Sequence, residues 1–510
     1  MPKPNASRRL IMFLGSSRFF WLILAFFVLQ SAWIALSGRY PMAFDEDYHL
    51  GIIRLYADHL SPFWSSQPAG ADTFGAVFRD PSYVYHWLMS FPYRFLDLFT
   101  DNQTTIVLWL RALNIAMLAG GLVVYRRLLL KTGAARAIVN GVLLLFILIP
   151  VVPLLAAQIN YDNLFIPLLG LLLLLVVNFD KELIDKKRSD PYLLTGIAVL
   201  CLLGSLIKYA FLPIFLSLVI FLAVRHWQTF GSFQAIWKAK LASLRRIGPG
   251  ITVLLSVAIL IPAALFVERY GVNFVRYHTP VPDCSQVLSV EACSQYGPWI
   301  RDHDLELRKP VTAPSSPVTF AGDWLYGMWL RLFFSVDGPG TYFQTRGPLV
   351  LPALSAIAFA ASGLLLSVVY AARLFRKYRA PVLALLLTVS GVYIGILWLD
   401  GYQTFQRTGI AVAINGRYLL PVLPFLMLFA ALAFNEFLKG RETLKLAVAG
   451  AAVVCMLWGG GTLTYILRSN PAWYWPNRTV VNVNAAVRET LGPVVPGYRD
   501  PIAFMNRHWW

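Results

Sequence analysis

Charge is scarce in this chain: only 14% of its 510 residues are charged, and acids are the scarcer kind, with 26 Asp and Glu against 44 Lys and Arg. A mean hydropathy of +0.60 with 57% hydrophobic residues excludes a water-soluble enzyme. Also missing are a G-x-x-x-x-G-K-[ST] phosphate loop, a Rossmann glycine fingerprint and an H-E-x-x-H helix, so neither an ATP-driven pump nor a zinc peptidase has motif support. No repeat of 20 to 50 residues is present, and the halves share no pair of matching broken helices of the kind that marks many secondary transporters. Cysteine is nearly absent, at four residues. Cys201 and Cys455 lie in apolar runs and read as small buried hydrophobes, whereas Cys284 and Cys293 share one outer loop, where a disulfide is the expectation rather than a metal site.

What is there is long apolar sequence. Eleven runs of 17 or more mostly apolar residues lie at about 19–38, 105–125, 137–156, 163–179, 191–207, 209–225, 250–267, 348–372, 380–399, 418–436 and 446–466. They predict an all-α polytopic membrane protein of about eleven transmembrane helices, in which residues 1–466 form the membrane module and 467–510 a short outer tail. The first run is too long for a cleaved signal peptide and no small-residue cleavage site follows it. The net charge of +18 would suggest nucleic acid in a soluble protein, but here it falls along the membrane. With the amino terminus inside, 24 of the 44 basic residues crowd into short inner segments, and 20 of the 26 acids lie outside. That predicts a cytoplasmic amino terminus, an extracytoplasmic carboxyl terminus, and chemistry at the outer face, where loops 39–104 and 268–347 are large. A bacterial inner membrane is the expected location, with the bilayer as partner and no nucleic acid.

Polar residues at the outer boundary are the candidates for chemistry. Phe44-Asp45-Glu46-Asp47-Tyr48-His49 follows the first run and opens an amphipathic stretch that reads as a surface helix. One acid there is explained by helix capping; three in a row, with like charges raising one another's proton affinity, suit a general base. Arg79-Asp80-Pro81-Ser82-Tyr83-Val84-Tyr85 leads an aromatic second surface helix. Asp162 sits in the short link Gln158–Asn163, Lys208 between two runs with almost no loop, and Arg417-Tyr418 at the start of a late run. Asp162 reads equally well as a helix cap and Lys208 as a snorkelling cation, while an arginine at that depth suits a phosphate.

The order and sidedness of these pieces resemble the GT-C superfamily of integral-membrane glycosyltransferases, similar in layout to protein O-mannosyltransferases and the aminoarabinose transferase of lipid A. The matching segments are Phe44-Asp45-Glu46 with His49, Pro81-Ser82-Tyr83-Val84-Tyr85, Asn160-Tyr161-Asp162, Ile207-Lys208-Tyr209 and Gly416-Arg417-Tyr418-Leu419-Leu420-Pro421, spread over residues 19–436. The tail and the cysteine loop depart from that pattern. The resemblance implies a GT-C-like fold and an inverting transfer of a sugar from a polyprenyl-phosphate-linked donor to a glycan, lipid or protein acceptor outside. It implies Asp45 as base, Glu46, Asp47 or Asp162 orienting it or the acceptor, Lys208 and Arg417 on the leaving phosphate, and Tyr418, His49 and Tyr85 in substrate binding. No cofactor is expected; a divalent metal stays open, because Asp45, Glu46, Asp47 and His49 offer hard ligands, although adjacent acids cannot all face one ion. Two other readings stay open beside this one: a lipid-linked glycan flippase or transporter, and a glycan polymerase or ligase. A scaffold subunit is a third, and tolerates loss of charge at Asp45 and Arg417.

Overall fold

The computed structural model describes residues 6–42, 45–309, 316–334, 350–412, 414–459, 461–469 and 473–494. Every regular element in them is a helix. Eight helices are long and apolar enough to cross a membrane, with mean hydropathy between 1.8 and 2.6, and the chain is an all-α polytopic membrane protein.

Three of the eleven apolar runs fold as shorter helices: Arg136–Leu148, Pro191–Ile207 and Leu423–Phe437. Proline punctuation explains two of them. Ile149 adopts an extended conformation before Pro150, which ends one helix and starts the six-residue helix Val151–Ala156. Near the tenth run, Gly416–Leu419 forms a separate 3-10 turn, and the helix proper starts at Leu423 with proline in its first turn.

Helices Gln103–Leu130 and Asp162–Lys186 form the centre of the bundle, each at least half buried along its most apolar stretch. The most apolar stretch of Pro249–Tyr277 is only 6% buried and sits at the periphery, where its apolar surface meets lipid. The surface helices Glu46–Asp58 and Val84–Asp97 pack against each other and, through the second, onto Gln103–Leu130. The described part of the tail folds back on the first span. Trp33 Nε1 donates to Asn484 Oδ1 at 3.0 Å, Arg39 N to the Trp473 carbonyl at 2.7 Å and Trp475 N to the Ser37 carbonyl at 3.0 Å.

One ion pair joins the parts that carry the site. Arg111 Nε and Nη2 donate to the two Glu46 carboxylate oxygens at 2.8 and 2.7 Å, and both side chains are fully buried. Arg111 Nη1 also donates to the carbonyls of Ala35 and Gly38, which terminate the first span. Glu46 accepts in addition from the backbone N–H of Met42 at 2.7 Å and of Ile159 at 3.2 Å. Four segments therefore meet at two side chains.

Removing one partner leaves an uncompensated buried charge, which costs about 3–5 kcal/mol. Arg111→Leu should lower the thermal unfolding midpoint in detergent far more than the exposed change Arg245→Leu. Equal midpoints would disprove the anchoring role.

Candidate functional site

Asp45 precedes the helix Glu46–Asp58 in a left-handed backbone conformation, φ 67° and ψ 32°, and its side chain caps nothing. An aspartate at that position ordinarily accepts from the first-turn amides; here the left-handed turn aims it elsewhere. Its Oδ2 accepts from Arg417 Nη2 at 2.6 Å, a contact between residues 372 positions apart. The two partners differ in access: Arg417 is 6% exposed and Asp45 57%, so the carboxylate keeps an open face.

Arg417 is held by its own turn. Asn415 Oδ1 accepts from Arg417 N at 3.0 Å, and Gly416 lies so close to the Met328 and Leu332 backbone that a Cβ there would collide with it. Tyr418 then stands between two cations, with the Arg417 guanidinium 5.2 Å and the Lys208 ammonium 4.9 Å from its ring centre.

Lys208 ends the helix Pro191–Ile207 and does not snorkel: its Nζ donates to Asp162 Oδ1 at 2.6 Å, with both side chains almost completely buried. The rings of Tyr161 and Phe165 cover it at 4.9 and 5.6 Å. Asp162 is not the helix cap. Asn160 Oδ1 takes that duty by accepting from Asp162 N at 2.9 Å, which frees the Asp162 carboxylate. Its Oδ2 is buried and has no hydrogen-bond donor among the described residues, a free acceptor beside the pair.

Asp45, Asp162, Lys208, Arg417 and Tyr418 thus assemble from distant parts of the chain into one group. Three other expected site residues lie beneath it. Glu46 is consumed by Arg111 and acts through position, turning the chain so that Asp45 faces Arg417. Tyr85 is fully buried and donates to Asn114 Oδ1 at 2.8 Å. His49 is 2% exposed, bonds His86 across 2.9 Å and meets Tyr161 edge-on at 4.7 Å. These two pack the floor and have no free face. Phe44 lies outside the described residues.

The structure adds contacts that the motifs did not reveal. Asp80 accepts from Ser82 N at 2.8 Å and from the Tyr48 hydroxyl at 3.3 Å. Burial raises its carboxyl above the ordinary aspartate range, against the pull of the Ser82 N–H. Tyr296 lays its ring against Gly75 and 6.2 Å from Tyr48. It directly follows the loop closed by Cys284 and Cys293, which are disulfide-bonded at 2.07 Å. A paired cysteine loop ending on an aromatic was the available signal; its distance in sequence from Asp45 hid the connection.

No group of three or more His, Cys, Asp and Glu poised to hold a metal occurs among the described residues. The acids that offered themselves in sequence point apart, Asp45 to Arg417 and Glu46 to Arg111, so together they do not form a ligand set.

The chain is similar to ArnT structures. The crystal structure of ArnT from Cupriavidus metallidurans bound to undecaprenyl phosphate aligns over 93% of this chain and 75% of its own, at 13% identity and a TM-score of 0.45. The apo-state structure of the same protein aligns over 95% and 75%, at 12% identity and a TM-score of 0.44. No family model and no curated protein matches.

Burial also sets the pH response of the floor. It pushes His49 well below the usual imidazole value of 6.5 and His86 down to about 3, so both stay neutral when folded. The unfolded chain takes up these protons first as pH falls, so stability present above about pH 6.5 is lost on the way toward pH 3. The thermal midpoint should fall on acidification through that window, and His86→Asn should flatten the fall. An unchanged slope would refute the assignment.

Proposed function

We propose that the protein is an integral-membrane glycosyltransferase of the GT-C type. It moves a sugar from a polyprenyl-phosphate-linked donor to an acceptor hydroxyl at the extracytoplasmic face. The observation that carries this reading is the Asp45–Arg417 contact, in which a half-open carboxylate is held by a buried guanidinium. An arginine can exchange one such anion for another, and a donor phosphate is the natural competitor.

In the apo arrangement Arg417 restrains Asp45. When the donor phosphate arrives it takes over the guanidinium, and the released carboxylate oxygen is free to accept a proton. The acceptor hydroxyl oxygen then attacks the anomeric carbon, its proton passing to Asp45. The bond from that carbon to the phosphate oxygen breaks, and the electron pair leaves on the phosphate. Attack opposite the leaving group inverts the anomeric configuration. Arg417 and Lys208 meet the charge that grows on the phosphate, and Tyr418 keeps the two cations apart while screening them from lipid. Asp162 holds Lys208 through one oxygen and offers the other to a substrate hydroxyl. On the acceptor side the half-exposed pair Tyr48 and Tyr296, with Asp80 between sequence neighbours of the site, gives rings and a carboxyl suited to a polar hydroxylated molecule.

Two substitutions separate the roles. Native mass spectrometry with added undecaprenyl phosphate should show one-to-one binding that survives Asp45→Asn and weakens by roughly 10- to 100-fold in Arg417→Ala, the value of a charge-assisted contact. Sugar transfer from a labelled undecaprenyl-phosphate donor should fall by about 10²–10⁴ in Asp45→Asn, as expected for loss of a general base. A fully active Asp45→Asn protein, or unaltered lipid affinity in Arg417→Ala, would overturn the assignment.

A further inference from the structure

A recess with a cationic rim lies at the far end of the same two central helices. It is a recess of about 580 Å³ lined by Arg127, Lys131, Lys181 and Arg379, with Leu130 and Leu174 on its wall. Arg111 of the anchoring pair and Leu130 are 19 residues apart on one helix, and Asp162 and Lys181 are 19 apart on another. At 1.5 Å per residue both spacings are about 28 Å, the thickness of a hydrocarbon core. The recess therefore sits at the membrane boundary opposite the site, and its leucines lie where acyl chains begin.

The charge balance on that face leaves the recess cationic. None of its four cations forms an ion pair among the described residues. The acids of the same face are engaged elsewhere: Asp180 with Arg225 at 2.5 Å, Glu182 with Lys186 at 2.8 Å, Glu442 with Lys445 at 2.8 Å and Glu436 with Lys377. Asp190 caps a helix by accepting from Tyr192 N and Leu193 N. Asp185 alone is exposed without a bonded partner among the described residues, one helical turn beyond Lys181. The chain of the ninth span enters beside the recess, since Arg379 N donates to the Thr132 carbonyl at 3.0 Å, so cations from three helices are fixed around one hollow. Four cations lining one hollow repel one another, and an anion among them relieves that repulsion.

We infer that the recess binds the phosphate-diester headgroup of an anionic membrane lipid, whose acyl chains run along Leu130 and Leu174. Basic hollows between spans at a membrane surface attract such headgroups, and the hollow here has apolar walls on the side a lipid would need. Positive-inside topology explains why cations lie on this face; it does not by itself gather four of them around one hollow.

The test uses the whole protein in nanodiscs of phosphatidylethanolamine mixed with cardiolipin, released for native mass spectrometry. The unaltered chain should retain cardiolipin in preference to phosphatidylethanolamine. Arg127→Gln with Lys181→Gln should reduce retention by roughly 10- to 30-fold, and Lys131→Gln with Arg379→Gln should do the same. Arg245→Gln with Arg246→Gln removes equal charge from the same face, on the helix Phe233–Ile247 that does not line the recess, and should leave retention intact. All three variants change exposed or half-exposed side chains, and their thermal midpoints without cardiolipin should match that of the unaltered chain. Equal retention in every form, or equal loss in the Arg245 and Arg246 variant, would overturn the inference. Inorganic phosphate at millimolar concentration that strips the adduct would reassign the recess to a free anion and overturn the lipid assignment.

Discussion

The buried pair of Arg111 and Glu46 is the constraint on which the rest of this end of the bundle depends. Two desolvated charges are costly unless each hydrogen-bonding position is filled. Here the filling is done by backbone groups from segments that would otherwise end unsatisfied: the carbonyls of Ala35 and Gly38 and the amides of Met42 and Ile159. The pair thereby fixes where the first span stops, where the first surface helix starts and where the link before Asp162 passes. With Glu46 turned inward, the left-handed residue before it must present its side chain to the opposite side, and that residue is Asp45.

Above this anchor the site consists of two parallel ion pairs, Asp45 with Arg417 and Asp162 with Lys208, that share an aromatic partition. The pairs are unequal. Lys208 and Asp162 are closed off, whereas Asp45 is open while its partner is not. An arrangement of that kind shields both cations from water and leaves one carboxylate exposed. The cysteine loop adds a wall from a separate part of the chain, where Tyr296 rests on a residue without a side chain, Gly75.

Much of this was legible in the amino-acid sequence, for a physical reason. Ionisable groups at the ends of apolar runs are costly, so Asp162, Lys208 and Arg417 stood out without any contact being known. What the pattern did not reveal was partnership, because no local rule links Asp45 to a residue 372 positions away. One part of the missing information was nevertheless written in helical spacing. Glu46, His49, Leu50 and Ile53 fall on one face at intervals of three and four and are all buried, while Asp45 and Asp47 fall off that face. Arg111 carried a comparable signal: a cation well inside an apolar run requires an anion, and Glu46 was among the few available. The proline break at Ile149 and Pro150 was readable too, and it divides a run that hydropathy alone joins.

The two central helices also act as a ruler. Their polar ends are held about 28 Å apart by helical rise, with ion-paired residues at one end and uncompensated cations at the other. Neither end can move into hydrocarbon without stripping water from charge, so a bilayer of the wrong thickness must stretch, thin or tilt the bundle at its own expense. Bilayer thickness thereby becomes a mechanical variable for this protein, because hydrophobic mismatch acts on the same helices that carry Arg111 and Asp162.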